Sequence, residues 1–557
     1  MHAEPAHAAT PPASADHSTS TVLARIWPAL PAVAVAVIVL LRLGFEQGGY
    51  FPVAYTSAGA IAFIALAVLV VRPGQERLST HALIAVGALS AFACWTGLSR
   101  MWSVVPDVPL LDMKRAMLYL ALLGLGLLAA DSGRSARVLV WSVLGVVVVI
   151  CGAGLLSRLQ PELVRSATDP SVAVFYRLDH PLGYWNAYGA LASLGAVLAA
   201  GLAADGRAHA ILRAAAAGAA LLLVVAMYLS LSRGAWLALI LGLVVLFTIH
   251  PRRGALLLTL VIVGGAAAVA MLRLRGYPAL VLDPKAGSGQ VAQGSAFTRE
   301  LIGLLLLAVA AQTTLALVGA RGMLESHVAR LRRIALIGGA VLVVLTAGVA
   351  YAAKGSEAEG TVTAAAHDAR DWLDRQWQDF LNPTANASEG AGAARLITTK
   401  GARSDLYRVA IDGFQAEPLT GGGAGAFEVR YARDRNVEVK SRDAHSLPLE
   451  TLSELGLVGM LLLLGFVGAV AAAARRGLSG KGAIRPAEAA AVTSAFAVWL
   501  VHASVDWDWE MPALTGTAVV LCAALFQRGR RRRSHRRRSV RARPMHRLMD
   551  HSPQSAK

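Results

Sequence analysis

The sequence predicts an all-α integral membrane protein of twelve to fourteen transmembrane helices. Three observations predict it. Of 557 residues, 55% are hydrophobic and only 16% charged, against about a quarter charged in soluble globular chains. The apolar residues gather in blocks of about 17–25, the length of helix that crosses roughly 30 Å of hydrocarbon. The short connections between blocks alternate in basic content. This pattern excludes a soluble single-domain enzyme, a disordered chain and a disulfide-framed secreted domain. Cys94, Cys151 and Cys522 all fall inside apolar blocks and imply no disulfide framework.

Fourteen stretches qualify as spans, near 26–43, 57–71, 82–98, 116–130, 137–157, 184–204, 211–229, 234–249, 254–272, 300–319, 334–352, 449–473, 487–504 and 512–527. The second, fourth and eighth are short enough to be tilted or partly re-entrant. Orientation follows from the positive-inside rule. With the N-terminus cytoplasmic, the inner connections hold Arg72 and Arg77, Arg134 and Arg137, Arg207 and Arg213, Arg252 and Arg253, Arg330, Arg332 and Arg333, and Arg475, Arg476, Lys481 and Arg485. The C-terminus is then cytoplasmic as well. Residues 1–25 read as a disordered cytoplasmic arm rather than a signal peptide.

Lysine and arginine number 53 against 35 acidic residues, a net charge of +18. Eleven arginines between Arg528 and Arg547 carry most of that surplus. The expected partner of this cytoplasmic tail, 528–557, is anionic lipid headgroups and not nucleic acid.

The remaining polar interest lies on the outer side. One connection, 353–447 between the eleventh and twelfth spans, is far longer than the rest and holds fourteen acidic residues. A loop of this length is a small domain or a lid. Within it, Ala369, Trp372, Leu373, Trp377 and Phe380 recur at helical spacing, which predicts an amphipathic helix on the membrane surface or over a cavity. A linker follows at 385–395. Arg403 opens a second helical pattern. Gly421–Gly425 could offer backbone amides to an anion or simply turn the chain between two helices. No CxxC, HExxH, GxSxG or Walker loop occurs, and no metal ligand set is expected.

Arginines on the outer face run against the positive-inside bias. Arg177 and Asn186 precede and open the sixth span, Arg233 stands in the tight Ser230–Trp236 turn between the seventh and eighth, and Arg403 is in the large loop. A guanidinium presents a planar fork of donors suited to phosphate oxygens. Several at one face could bind a lipid-linked pyrophosphate. Each alone could equally snorkel or pair with a carboxylate. His445 ends the large loop and suits general-base chemistry near neutral pH, with Glu450 and Glu454 one and two turns on to orient it. His502, Asp506 and Glu510 fall at i, i+4 and i+8. They could share a face that binds a divalent cation or sugar hydroxyls, with Trp507 and Trp509 stacking on a ring.

Three segments together resemble the O-antigen ligase/O-antigen polymerase family. Ser230-Leu231-Ser232-Arg233-Gly234-Ala235-Trp236 is similar to its Ser-Arg-Gly turn, Pro418–Phe427 to its Pro-Leu-Thr-Gly loop, and Ala444-His445-Ser446 through Gly459 to the His-containing segment that closes the large periplasmic loop. The resemblance spans roughly 180 to 475. Ser446 stands where the family usually has Asn. What the resemblance implies is a GT-C-like fold in the bacterial cytoplasmic membrane and a metal-independent, cofactor-free glycosyltransferase. It implies transfer of a glycan from undecaprenyl pyrophosphate to an acceptor hydroxyl on a glycan, lipid or protein at the outer face. By the same resemblance Arg233 would hold the pyrophosphate, His445 would activate the acceptor, and Arg403 would make a second phosphate contact. Ligase and polymerase are not separated by these motifs. A transporter or flippase of lipid-linked sugars is the alternative; polar residues clustered at the outer face, with almost purely apolar span interiors, favour transfer.

Overall fold

Proline and serine start many of the helices. Pro52, Pro109, Pro448, Pro486 and Pro512 sit in first turns, where a missing N–H costs nothing. Ser79, Ser132 and Ser232 cap others through their side chains. In the computed structural model, residues 28–71, 78–164, 176–281, 287–320 and 401–527, with a few positions between 371 and 382, are described. Among them there is no β-strand.

The order is α1 (Leu30–Phe45), α2 (Pro52–Val70), α3 (Thr80–Leu98), α4 (Val108–Ala129), α5 (Gly133–Leu159), α6 (Trp185–Ala203), α7 (Ala210–Leu229), α8 (Arg233–Ile249), α9 (Arg253–Leu274), α10 (Gly287–Ala320), α11 (Arg403–Ala416), α12 (Ala426–Asp434), α13 (Leu447–Leu478), α14 (Pro486–Ala503) and α15 (Pro512–Phe526). Eight of these, α2, α3, α5, α6, α7, α9, α10 and α13, are long and apolar enough to cross a membrane. Three more, α1, α8 and α15, are apolar but shorter. The expected eleventh span at 334–352, the N-terminal arm, the 385–395 linker, most of the amphipathic stretch at 369–380 and the arginine-rich tail lie outside the described residues.

The fourth span differs from expectation. An apolar block begins near 116, but α4 starts eight residues earlier and carries Asp112, Lys114 and Arg115 inside the helix. The charges are tolerated because Arg115 pairs with Asp112 and with Glu510, each at 3.0 Å. An ion pair within the protein removes the cost of facing lipid with a bare charge.

Two helices are central. α6 is rich in Ala and Gly, is buried along its span, and packs against α5, α7, α8 and α14. α15 is buried at every residue, between α4, α14, α5 and α1. Small side chains let these helices approach closely, the packing mode available where lipid supplies no hydrophobic drive. Outward-facing Ile64, Ile240, Leu306 and Leu307 leave apolar surface for hydrocarbon.

The large loop ends in a small layer of its own. α11 and α12 share a core of Leu406, Val409, Ala410, Phe427, Tyr431 and Ala444, and α11 rests on α13. α13 breaks at Gly456, where φ is +63° and ψ −161°. The groups freed by the break pair with the glycine-rich loop: Gly422 N–H with Ser453 O, Gly423 N–H with Glu454 O, and Leu457 N–H with Pro418 O. Trp95 and Trp102 donate their indole N–H groups to Leu455 O and Gly421 O from α3 and its end. The Gly421–Gly425 loop is therefore a clasp on a broken helix. The amides of Gly421, Gly422 and Gly423 are already bonded within the protein, which answers the choice between anion cradle and turn in favour of the turn.

Candidate functional site

Asp506 sits just past the end of α14, and its carboxylate is 1% exposed. Five groups converge on it. Arg403 Nη2 and Asn186 Nδ2 donate to Oδ2, both at 2.7 Å. Tyr184 Oη donates to Oδ1 at 2.8 Å, and the Trp507 backbone N–H donates to it at 3.0 Å. His445 Nδ1 stands 3.0 Å from the same Oδ1. Burial by itself would raise this carboxyl, but the Arg403 guanidinium and the His445 imidazole outweigh it and hold Asp506 well below the usual carboxylate range. An ionised Asp506 can only accept, so the His445 proton belongs on Nδ1 and Nε2 is left as an acceptor. The His445 side chain keeps 24% of its surface exposed.

The backbone at His445 is built to aim it. Its φ is +54°, a left-handed conformation uncommon outside glycine. Ala444 N–H, one residue before, donates to Glu450 Oε2 at 2.7 Å, and Tyr407 Oη donates to the His445 carbonyl at 3.3 Å. Ser446 then caps α13. Glu450 thus acts on the turn and not on the imidazole. Glu454 accepts from Phe427 N–H at 3.0 Å and so ties α12 to α13. The partner that orients the ring is Asp506, 61 residues on.

Arg177 holds the other side. Its Nε and Nη2 donate to the carbonyls of Ser230 and Leu231 at 2.8 and 2.9 Å, and Nη2 also donates to Asn186 Oδ1 at 3.0 Å. Its guanidinium lies 4.7 Å from the Trp185 ring centroid. Arg177 therefore fastens the Ser230–Ser232 turn, where Leu231 has φ +49°, and Arg233 opens α8 immediately after it. Arg233, Arg177, Asn186, Asp506, Arg403 and His445 thus belong to one end of the bundle, and a chain of hydrogen bonds joins the Arg233 turn to His445. About a third of the Arg403 side chain is exposed, so it has donors to present beyond its bond to Asp506.

The expectation that His502, Asp506 and Glu510 share a face does not hold. α14 ends at Ala503, and the chain turns through a short 3-10 segment, Asp508–Glu510. The three side chains part: His502 Nδ1 pairs with Asp508 at 2.7 Å, Asp506 forms the hub, and Glu510 meets Arg115.

A small cleft near the hub has walls that include Asp112, Arg115, Glu450, Glu454, Trp509 and Glu510. Asp443, Glu450 and Glu510 each bring one carboxylate oxygen within 4.8 Å of the others, a grouping that could hold a divalent cation. Such a trio, drawn from three separate segments, leaves no spacing motif in the sequence. The criterion that singles out Arg177 and Arg233 also covers Arg115, which falls in a connection that the charge pattern assigns to the outer side. Asp443, Tyr184 and Tyr407 carried no signal beyond residue type.

Burial pushes the Asp443 and Glu510 carboxyls up; the charge of Asp443 adds to the rise at Glu510, while the His445 and Arg115 charges oppose it at Asp443. A carboxyl raised on folding binds its proton more tightly in the folded state. Its contribution to stability is complete below the ordinary carboxylate range and is lost as pH rises through the raised value. The melting temperature of the purified protein is therefore expected to fall as pH rises above the ordinary carboxylate range. Asp443→Asn should flatten that slope; an unchanged slope would exclude Asp443 as its source.

The O-antigen ligase family profile matches residues 295–464. The matched stretch contains Arg403, the 418–427 loop, His445, Glu450 and Glu454, and stops short of Arg177, Arg233 and Asp506. No curated protein matches the chain. Over that stretch the chain is similar to the O-antigen ligases, and the apolar helices are those of a multi-pass membrane protein.

Proposed function

From a chain that carries an O-antigen ligase region over residues 295–464, we propose transfer of a glycan from an undecaprenyl-pyrophosphate carrier to an acceptor hydroxyl at the outer face of the bacterial cytoplasmic membrane. The observation that carries this reading is the His445–Asp506 pair, flanked by Arg403 and tied through Arg177 to the Arg233 turn. His445 Nε2 takes the proton of the acceptor hydroxyl as that oxygen attacks the anomeric carbon. The bond from that carbon to the pyrophosphate oxygen breaks, and the lipid pyrophosphate leaves with its electron pair. Arg233 and Arg403 offset the charge that grows on the leaving group. Asp506 keeps the imidazole in the required tautomer and balances its charge once protonated. No nucleoside triphosphate is needed, because the carrier linkage itself is the activated bond.

In this reading both termini are cytoplasmic, fourteen spans cross the bilayer, and the 353–447 loop is extracytoplasmic. The arginine-rich tail lies against anionic lipid. The acceptor is a glycan, lipid or protein hydroxyl. The test is reconstitution with a lipid-linked glycan and an acceptor. His445→Ala and Arg233→Ala should each abolish product, a loss of at least about a hundredfold, while the melting temperature stays near that of the wild type. Product at the wild-type rate from either variant removes that residue from the mechanism. Movement of an unchanged lipid-linked glycan across the vesicle, without transfer, would replace the reading by transport.

A further inference from the structure

A second histidine–carboxylate pair lies buried behind the first and plays no part in the mechanism above. His502, in the last turn of α14, and Asp508 have side chains that are both 0% exposed, with Nδ1 and Oδ2 2.7 Å apart. Asp508 stands two residues from Asp506. Its backbone carbonyl accepts from the Thr515 hydroxyl of α15 at 2.6 Å, and that hydroxyl accepts from the Trp499 indole of α14 at 2.9 Å. The carboxylate is thus fixed between two helices, and the imidazole is fixed by the carboxylate. The far side of the ring lies against the first turn of α8. A Cβ at Gly234 would come within 3.0 Å of His502 Nε2 and 3.2 Å of Cδ2, so the ring seats there because residue 234 has no side chain. Neither His502 Nε2 nor Asp508 Oδ1 has a hydrogen-bond partner among the described residues. A buried pair with two polar atoms unsatisfied is a poor source of stability. What it supplies is direction, because the bond to Asp508 fixes the ring where an apolar side chain could repack.

Resting on the transfer reading above, we propose that His502, held by Asp508, is a positioning residue for Arg233. Its ring bears on Gly234, the residue after Arg233, and so sets the place from which that guanidinium reaches the pyrophosphate. The residues before Arg233 are held separately, by the two bonds from Arg177 to the carbonyls of Ser230 and Leu231. Ser193 of α6 adds a bond to the Ala235 carbonyl at 3.1 Å. Arg233 is therefore fixed from both sides along the chain. The same pair ties the α8 turn to the segment that carries Asp506, so the arginine at the leaving group and the carboxylate that orients His445 keep one spacing. A shift of about 1 Å between groups that act on one substrate costs up to about a hundredfold in rate. A strut between them matters although it touches no substrate itself.

The experiment measures binding of farnesyl pyrophosphate, a short polyprenyl pyrophosphate, to the full chain in detergent by calorimetry. His502→Asn keeps a side-chain N–H for Asp508 and removes the far side of the ring with Nε2. It should weaken binding about fivefold, and Arg233→Lys about tenfold. The double variant should bind within about twofold of Arg233→Lys alone, because the strut acts only through that arginine. Gly234→Ala displaces the ring without deleting a polar group. It should behave as His502→Asn does, and it replaces that variant in the cycle if His502→Asn fails to fold. A variant that is merely less stable lowers the number of binding sites and leaves the dissociation constant of the remaining sites unchanged. Effects that multiply, to about fiftyfold in the double variant, or wild-type binding by His502→Asn, overturn the proposal. The same preparations are assayed for glycan transfer. Multiplying effects in a chain that transfers glycan remove this inference alone. The predicted coupling in a chain that transfers none removes the transfer reading and leaves His502 as the strut of a pyrophosphate site.

Discussion

Asp506→Asn is expected to lower glycan transfer by about a hundred- to ten-thousandfold, the range set by loss of the carboxylate that orients a catalytic histidine. The substitution keeps the shape of the side chain and removes its charge. One oxygen is left to accept where Arg403, Asn186, Tyr184, His445 and Trp507 now converge on two. The new amide N–H₂ faces donors, so the hub must rearrange or the imidazole must adopt the other tautomer. In the second case Nε2 carries the proton and cannot accept one from the acceptor. Stability should drop by only about 1–3 kcal/mol, the cost of imperfectly paired buried donors. Initial rates in proteoliposomes and a melting curve in detergent separate the two effects. A variant that transfers glycan at the wild-type rate would show that His445 works without Asp506.

Gly456→Ala is expected to have the largest effect on folding. At φ +63° and ψ −161° the backbone is in a region held essentially by glycine alone, and a side chain there costs on the order of 1–3 kcal/mol in strain. The added Cβ would also come within 2.3 Å of the Leu419 carbonyl oxygen and 2.7 Å of Gly421 N. Neither is the end of a flexible side chain, so the clasp between the 418–423 loop and the broken α13 must open. Once it opens, Glu454 loses its register with Phe427 N–H, and α12 loses its tie to α13. The expected outcome is a total loss of more than about 3 kcal/mol and a poor yield of folded protein. An alanine variant with wild-type thermal stability would mean that the kink at Gly456 is not required.

Much of the architecture was present in the pattern of residues alone. Apolar blocks of spanning length predict helices wherever they occur, because a backbone in hydrocarbon must satisfy its own hydrogen bonds. Described helices overlie the expected stretches from α1 to α10 and from α13 to α15. At α4 the apolar block marks the start too late, because Asp112 and Arg115 form an internal pair that the helix carries. The polar residues were also found, since an arginine on the outer face, a histidine at a loop end and a glycine run each break a local rule. Their partners were not. Whether Gly421–Gly425 cradles an anion or clasps a helix depends on the kink at Gly456, thirty-odd residues away. Asp506 and His445 are 61 residues apart, and helical spacing pointed to Glu450 and Glu454 as the orienting groups. What the one-dimensional sequence determines is composition-driven: which segments enter the bilayer, and which residue types break the pattern. Which carboxylate meets which cation was decided by the crossing of α6, α8, α13 and α14 at one end of the bundle, because electrostatic pairing depends on distance in space and leaves no periodic trace along the chain.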